Sequence, residues 1–175
     1  MVEIKHELDV KDLPTLQRVI QDAFTSSAHG YSGENALVQA LRESDKTSTY
    51  DVVASDDGAI VGYALLSDAL ILDEGVPQAS GLVLAPLAVA PDAQKQGVGK
   101  ALMAEIESVA GTHGYSFISI LGGNYYQQFG YRPASQFGIK APMEVPDEYF
   151  QIKPMREGSL TDVQGTLKYA PEFGL

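Results

Sequence analysis

The run Leu84–Gly99, LAPLAVAPDAQKQGVG, constrains this chain more than any other segment. An apolar stretch ends in a loop carrying two glycines, and a helical pattern follows from Lys100 to Ala110. Val98, Ala101, Leu102, Ile106 and Val109 fall on one face of that helix. A strand feeding a glycine loop and then a helix start aims orphaned backbone N–H groups, and the positive end of the helix dipole, at whatever lies in front. The junction is therefore suited to a phosphorylated ligand. Residues Gly81–Ala90 are too apolar for a strand with one wet face, which predicts a central strand buried on both sides. Pro86 lies inside it and cannot donate to a ladder. The expectation is a bulge, or two strands parting, with free backbone groups left for a ligand.

Around that centre the chain alternates helical and extended patterns. Val2, Ile4, His6 and Leu8 read as a strand. Asp12 is placed to cap a helix carrying Leu13, Leu16, Val19, Ile20, Ala23 and Phe24, with Pro14 tolerated in its first turn. After the polar loop Thr25–Gly33, Ser32 is placed to cap a second helix with Ala36, Leu37, Ala40 and Leu41 on one face. Strands Tyr50–Ala54 and Ala59–Leu66 flank Asp56-Asp57-Gly58, a hairpin signal. Beyond the signature helix, which Gly111 or Gly114 ends, Tyr115–Leu121 reads as a strand and Asn124–Phe129 as a short helix stopped by Gly130. Tyr131–Ile139, Tyr149–Met155 and Val163–Tyr169 complete the set as strands. The order β-α-α-β-β-β-α-β-α-β-β, with one further short strand at its end, predicts an α/β fold, a mixed α+β sheet with a splayed central strand, in one domain over residues 1–175.

Composition narrows the chemistry. The 175 residues suffice for a sizeable core. With 12 Lys+Arg against 23 Asp+Glu, the formal net charge of −11 argues against nucleic acid as a partner. The acidic surface would steer a cationic substrate, although solubility is the plainer reading. The absence of Cys removes disulfides, thiolate metal sites and Cys nucleophiles, and fits a cytoplasmic protein. No apolar run reaches the roughly 20 residues of a membrane span, and the N-terminus does not read as a signal peptide. Three scattered His give no metal spacing; His29 stands alone, and His113 sits at a helix end where a cation suits the dipole. The dinucleotide fingerprint fails because Ala101 and Leu102 follow Gly99-Lys100, and the P-loop fails because Lys100 is followed by Ala101.

Gln94-Lys95-Gln96-Gly97-Val98-Gly99 resembles the Q/R-x-x-G-x-G/A signature of the GNAT superfamily of acyl-CoA-dependent N-acetyltransferases. Asn124–Tyr131 is similar to the family's later segment, where a Tyr lies four residues before Gly-Phe or Gly-Tyr. Leu84–Val89 and Leu121-Gly122-Gly123 are similar to a bacterial subgroup of the family. These motifs cover Leu84 to Pro133.

The resemblance implies a GNAT-like fold, acetyl-CoA as co-substrate and no metal. The Gln94 motif would hold the pyrophosphate through the N–H groups of Gln96, Gly97, Val98, Gly99 and Lys100. Lys95 and Lys100 would either add charge there or be solvated surface. Leu87, Ala88 and Val89 match the strand whose backbone pairs with pantetheine, their side chains in the core. An N–H near Pro86 would face the thioester carbonyl. Transfer to the amine would be direct, since the chain has neither Cys nor G-x-S-x-G. Tyr126 matches the family's general acid, for a phenol can protonate a departing thiolate; otherwise it is one more buried aromatic. Tyr125 is read as packing, and Asn124 as a helix cap in preference to a CoA contact. Glu34, Asp68 and Asp73 are placed as candidate bases, though each reads more plainly as a solvated carboxylate. The implied partner is a small-molecule or peptide amine, with no nucleic acid or membrane. A homodimer is common in the family, but no feature here demands one. The alternative is a non-catalytic acyl-CoA-binding sensor on the same fold. Residues 25–35 and 140–175 match no pattern that names the acceptor.

Overall fold

The computed structural model describes residues 2–27 and 30–175, so His29 lies outside the described residues. Two compact units divide the chain, residues 1–66 with 86–106 and residues 67–85 with 107–175. The long strands β3 (Ala59–Asp73) and β4 (Val76–Val89) give one end to each unit.

In the first unit, strand β1 (Val2–Lys5) pairs antiparallel with β2 (Thr49–Asp56), from Val2↔Asp56 to Lys5↔Val53. Asp57 at φ +50° and Gly58 at φ +83° make the tight turn from β2 into β3, as Asp-Gly predicts. Helix α1 (Leu13–Thr25) carries Pro14 at its start and buries Leu16, Val19 and Ile20. Asp12 does not cap it with its side chain. A 3₁₀ turn, Val10–Asp12, precedes the helix, and the Asp12 carboxylate is aimed back to accept the Asp9 N–H at 3.3 Å. Nor does Ser32 cap helix α2 (Glu34–Glu43). Gly33, at φ +84°, occupies that position, while Ser32 donates its own N–H to the Glu34 carboxylate at 2.7 and 2.9 Å. The buried face of α2 is Val38 and Leu41 and leaves Ala36 and Ala40 exposed. An alanine gains little from burial, so the larger side chains decide the rotation.

Helix α3 (Val98–Thr112) buries Val98, Leu102, Met103 and Ile106 in this unit. It lies close on β3 because Gly62 has no side chain. A Cβ there would come within 2.8 Å of Val98 Cγ1 and 3.1 Å of Leu102 Cδ1. Tyr63 points to the opposite face of β3. It is fully buried, donates its hydroxyl to Asp51, and Asp51 Oδ1 pairs with Arg42 Nε at 3.1 Å.

In the second unit, β3 and β4 extend well past Ala59–Leu66 and Gly81–Ala90, joined by a second tight turn at Glu74 (φ +49°) and Gly75 (φ +79°). The acids Asp73 and Glu74 mask this hairpin in the sequence. Strand β5 (Phe117–Leu121) runs parallel to β4 from Leu82↔Ile118 to Leu84↔Ile120. Strand β8 (Phe150–Pro154) pairs antiparallel with β5 and with β6 (Arg132–Pro133). Strand β9 (Gly165–Lys168) pairs antiparallel with β3 and parallel with β7 (Ile139–Lys140). The single strand expected over Tyr131–Ile139 is therefore two short ones, split by a 3₁₀ turn, Ala134–Phe137, that Gly138 ends at φ +75°. Pro133 withholds a ladder donor just where the chain leaves β6. Helix α3 ends at Gly114 and not at Gly111. Tyr115 N–H reaches Ala110 O at 3.0 Å and Gly114 N–H reaches Gly111 O at 3.2 Å, a Schellman closure. Ile71, Phe117, Ile139, Ile152 and Leu167 centre the core.

Candidate active site

Strand β4 changes character along its length. Gly81, Leu82, Val83 and Leu84 are all buried, as a strand covered on both faces should be. From Ala85 burial alternates: Pro86 and Ala88 are buried, while Ala85, Leu87 and Val89 are half-exposed. The ladder to β5 spans Leu82 to Leu84 and stops short of Pro86. Leu87 and Val89 are thus not core side chains as expected, because beyond Leu84 the strand is covered on one side and not the other. Ala88 alone of the three is core.

The loop after β4 begins with a 3₁₀ turn, Pro91–Ala93. Lys95 at φ +63° and Gly97 at φ +86° are both left-handed, with Gln96 between them outside that region. Left-handed residues spaced in this way turn successive N–H groups toward one point in anion-binding nests. Helix α3 starts at Val98, and its first turn closes with Ala101 N–H on Gly97 O at 3.0 Å. The N–H groups of Val98, Gly99 and Lys100 therefore belong to the unsatisfied first turn. Gly99 lies within the helix, so of the two glycines only Gly97 uses its conformational freedom. The glutamine side chains fold back onto the local backbone while staying exposed. Gln94 Nε2 donates to Val89 O at 3.3 Å and Gln96 Nε2 to Asp92 O at 3.1 Å. They brace the loop, while Lys95 and Lys100 stay exposed. Leu87–Val89 and Gln94–Lys100 are all brought together in the first unit; Asn124 and Tyr126 belong to the second.

There, Asn124–Phe129 is a 3₁₀ helix closed by Gly130 at φ +95°. Asn124 does not cap it. Gly123 holds that position, and Asn124 is exposed, with Oδ1 accepting Gln127 Nε2 at 3.5 Å. The Tyr126 ring lies against Gly122, where a Cβ would overlap its Cε2 edge. Tyr125 and Tyr131 meet it edge-on, at centroid distances of 5.2 and 6.4 Å. Burial pushes the Tyr126 phenol up to about 12, so it holds its proton at neutral pH. Tyr125 is half-exposed and also packs edge-on against Phe129 at 5.4 Å.

Sequence reasoning missed Gln151. It is fully buried on β8, and its Nε2 donates to Gly122 O at 2.7 Å and Gly123 O at 2.9 Å. A glutamine inside the strand FQIKP was the available signal. Of the candidate bases, Glu34 is engaged by the Ser32 N–H and Asp73 accepts Gln164 Nε2 at 3.2 Å. Asp68 is half-buried on β3. His113 follows the last turn of α3, as expected. No described helix is long and apolar enough to cross a membrane.

Residues 48–133 match the acetyltransferase (GNAT) domain family. Over 164 residues the chain is 28% identical to the uncharacterized N-acetyltransferase YhbS of Escherichia coli, covering 93% of each chain. It is 31% identical over 147 residues to the uncharacterized N-acetyltransferase YjhQ of Escherichia coli, covering 82% of this chain and 78% of that one. The crystal structure of Escherichia coli YhbS in complex with CoA superposes with a TM-score of 0.87 at 27% identity, over 99% of this chain and 92% of that one. A GNAT family acetyltransferase from Brucella melitensis in complex with acetyl-CoA gives a TM-score of 0.77 at 27% identity, over 99% and 98%.

Proposed function

The chain belongs to the GNAT family of N-acetyltransferases, and from that premise we propose that it moves an acetyl group from acetyl-CoA directly to a primary amine of a small molecule or peptide. The observation that carries the proposal is the left-handed pair Lys95 and Gly97 immediately before α3. Such a nest at a helix start offers a pyrophosphate several N–H donors and the positive end of a dipole. Two relatives of similar fold hold CoA and acetyl-CoA. In this reading the pantetheine amides pair with the β4 backbone over Leu87–Val89, beyond the end of its ladder to β5 at Leu84.

In this reading the amine nitrogen forms a bond to the thioester carbonyl carbon, and the tetrahedral intermediate collapses as the C–S bond breaks. The sulfur takes the Tyr126 proton and leaves as the thiol; the phenolate regains a proton from solvent. Tyr126 enters the reaction protonated, as an acid must, since a phenol ionises near 10 and burial raises it further. The nitrogen's surplus proton goes to water or to Asp68, since Glu34 and Asp73 are engaged with Ser32 and Gln164.

Thermal unfolding with acetyl-CoA, with NADH and ATP as controls, tests the donor. Ligand at about 100 times its Kd adds roughly 2.7 kcal/mol, which a melt resolves. The expected result is a shift with acetyl-CoA and none with the controls, followed by amine-dependent release of CoA thiol across a panel of amines. No shift with acetyl-CoA overturns the proposal.

A further inference from the structure

We infer that Gln151 is a positioning residue for Tyr126, acting through the Gly122-Gly123 turn; the inference rests on Tyr126 being the acid. Gln151 sits on β8 opposite Ile120 of β5 and is fully buried, an unusual place for a glutamine. Its amide nitrogen holds two successive carbonyls, Gly122 O and Gly123 O, at 2.7 and 2.9 Å. The same turn is fastened once more to the chain beside β8, because Gly122 N–H donates to Tyr149 O at 2.9 Å. The strand beneath is pinned as well, with Ser119 Oγ donating to Gln151 O at 3.0 Å. The turn is therefore fixed through both its N–H and its carbonyls.

What the turn fixes is the ring of Tyr126. Gly122 is the floor against which that ring lies, so close that no side chain fits between them. Tyr125 and Tyr131 bound it edge-on. A proton donor must meet its acceptor at about 3 Å, and displacement by about 1 Å can cost 10²-fold in rate. A turn released from Gln151 moves the floor, and the phenol moves with it. Among the described residues, Gln151 Oε1 is buried and has no partner. The amide is thus held in place by its donor, Nε2, alone.

The test is a double-mutant cycle with Gln151→Met and Tyr126→Phe, measuring kcat and the KM for acetyl-CoA. Methionine keeps the length and apolar packing and removes the donor. Gln151→Met is expected to lower kcat roughly 10- to 100-fold with KM unchanged, and to add nothing further in the Tyr126→Phe background. A spectroscopic readout accompanies it. Ultraviolet titration of the phenolate, taken as the difference from Tyr126→Phe, should show the Tyr126 ionisation falling from about 12 toward 10.0 as its ring loosens into solvent. Should Gln151→Met fail to fold, Gly122→Ala displaces the ring from the other side and should give the same two changes. Wild-type kcat in both variants, with Tyr126→Phe impaired, overturns the positioning role and leaves the acid standing. An equal loss from Gln151→Met in the presence and absence of the Tyr126 hydroxyl also overturns it. Undiminished turnover in Tyr126→Phe overturns the acid, and this inference with it.

Discussion

The signature loop and the tyrosine segment hold their groups by opposite means. In the loop the polar side chains are scaffolding and the backbone is presented. Gln94 and Gln96 fold back onto Val89 O and Asp92 O, while Lys95 and Gly97 set the course of the backbone. In the tyrosine segment the backbone is scaffolding and a side chain is presented. Gly122 and Gly123 are tied to Gln151 and Tyr149, and what they support is the Tyr126 ring. A backbone device needs only its own few residues, whereas a side-chain device borrows its support from a strand much later in the chain. The first should fail when the backbone path is blocked, and the second when the one functional atom is removed.

The largest effect is expected at Gly97. Gly97→Glu puts a side chain where φ is +86° and an acid where phosphates would sit. It should abolish stabilisation by acetyl-CoA in a melt and leave the unliganded protein folded. A full shift would show that the nest does not bind the donor.

Tyr126→Phe comes next and acts on rate alone. Turnover should fall roughly 10²–10⁴-fold, the usual contribution of a positioned acid, with the Kd for acetyl-CoA preserved. Calorimetric titration beside steady-state kinetics separates the two. A variant that lost affinity instead would place Tyr126 among the binding groups, and the contrast between the regions would collapse.

The same contrast explains what the sequence disclosed. The strand, loop and helix around Gly97 are contiguous, so spacing alone carried the phosphate-site reading, and Gly130 marked the end of the tyrosine turn. The left-handed Lys95 was not legible, because nothing in a lysine signals positive φ. Gln151 stood out only as a glutamine inside an apolar strand; its role was hidden because its partners are carbonyls of residues that only the β5–β8 pairing brings near. The hairpin at Glu74-Gly75 and the split of Tyr131–Ile139 escaped because acids masked one turn and Pro133 sits at a strand edge. The caps fail locally: Asp12 holds the N-cap position of α1 but turns its carboxylate back to the Asp9 N–H, and Ser32 falls one residue before Gly33, the N-cap of α2.

Alkaline pH should probe the buried phenols next. Burial is the chief cause raising Tyr63, Tyr126, Tyr131 and Tyr169 above 10.0, with Tyr126 at about 12. In the unfolded chain these groups lose their protons near 10, so above that pH the folded chain binds more protons than the unfolded one. Their contribution to stability is complete below pH 10 and is lost as pH rises through the folded values, at about 1.4 kcal/mol per pH unit for each such group. Tm measured between pH 8 and roughly 11 should be level at first and then fall, less steeply in Tyr126→Phe. Equal slopes would mean that Tyr126 is not held neutral by burial.

The smallest effect should come from Lys95. Lys95→Gly removes a charge beside the nest but keeps a backbone that adopts φ +63° freely. Relief of left-handed strain, about 1–2 kcal/mol, and the added backbone entropy of glycine, about 0.5–1 kcal/mol, oppose each other. Tm should therefore shift little, and the Kd for acetyl-CoA should change no more than about two- to threefold, the modest worth of one exposed charge. Lys95→Val is the counterpart. It also removes the charge, but a β-branched residue resists positive φ, so the N–H of residue 95 and its neighbours lose their common direction. Valine should weaken acetyl-CoA far more than glycine does. Equal losses in the two variants would assign the binding energy to the Lys95 ammonium, and the loop would then work through a side chain, as the tyrosine segment does.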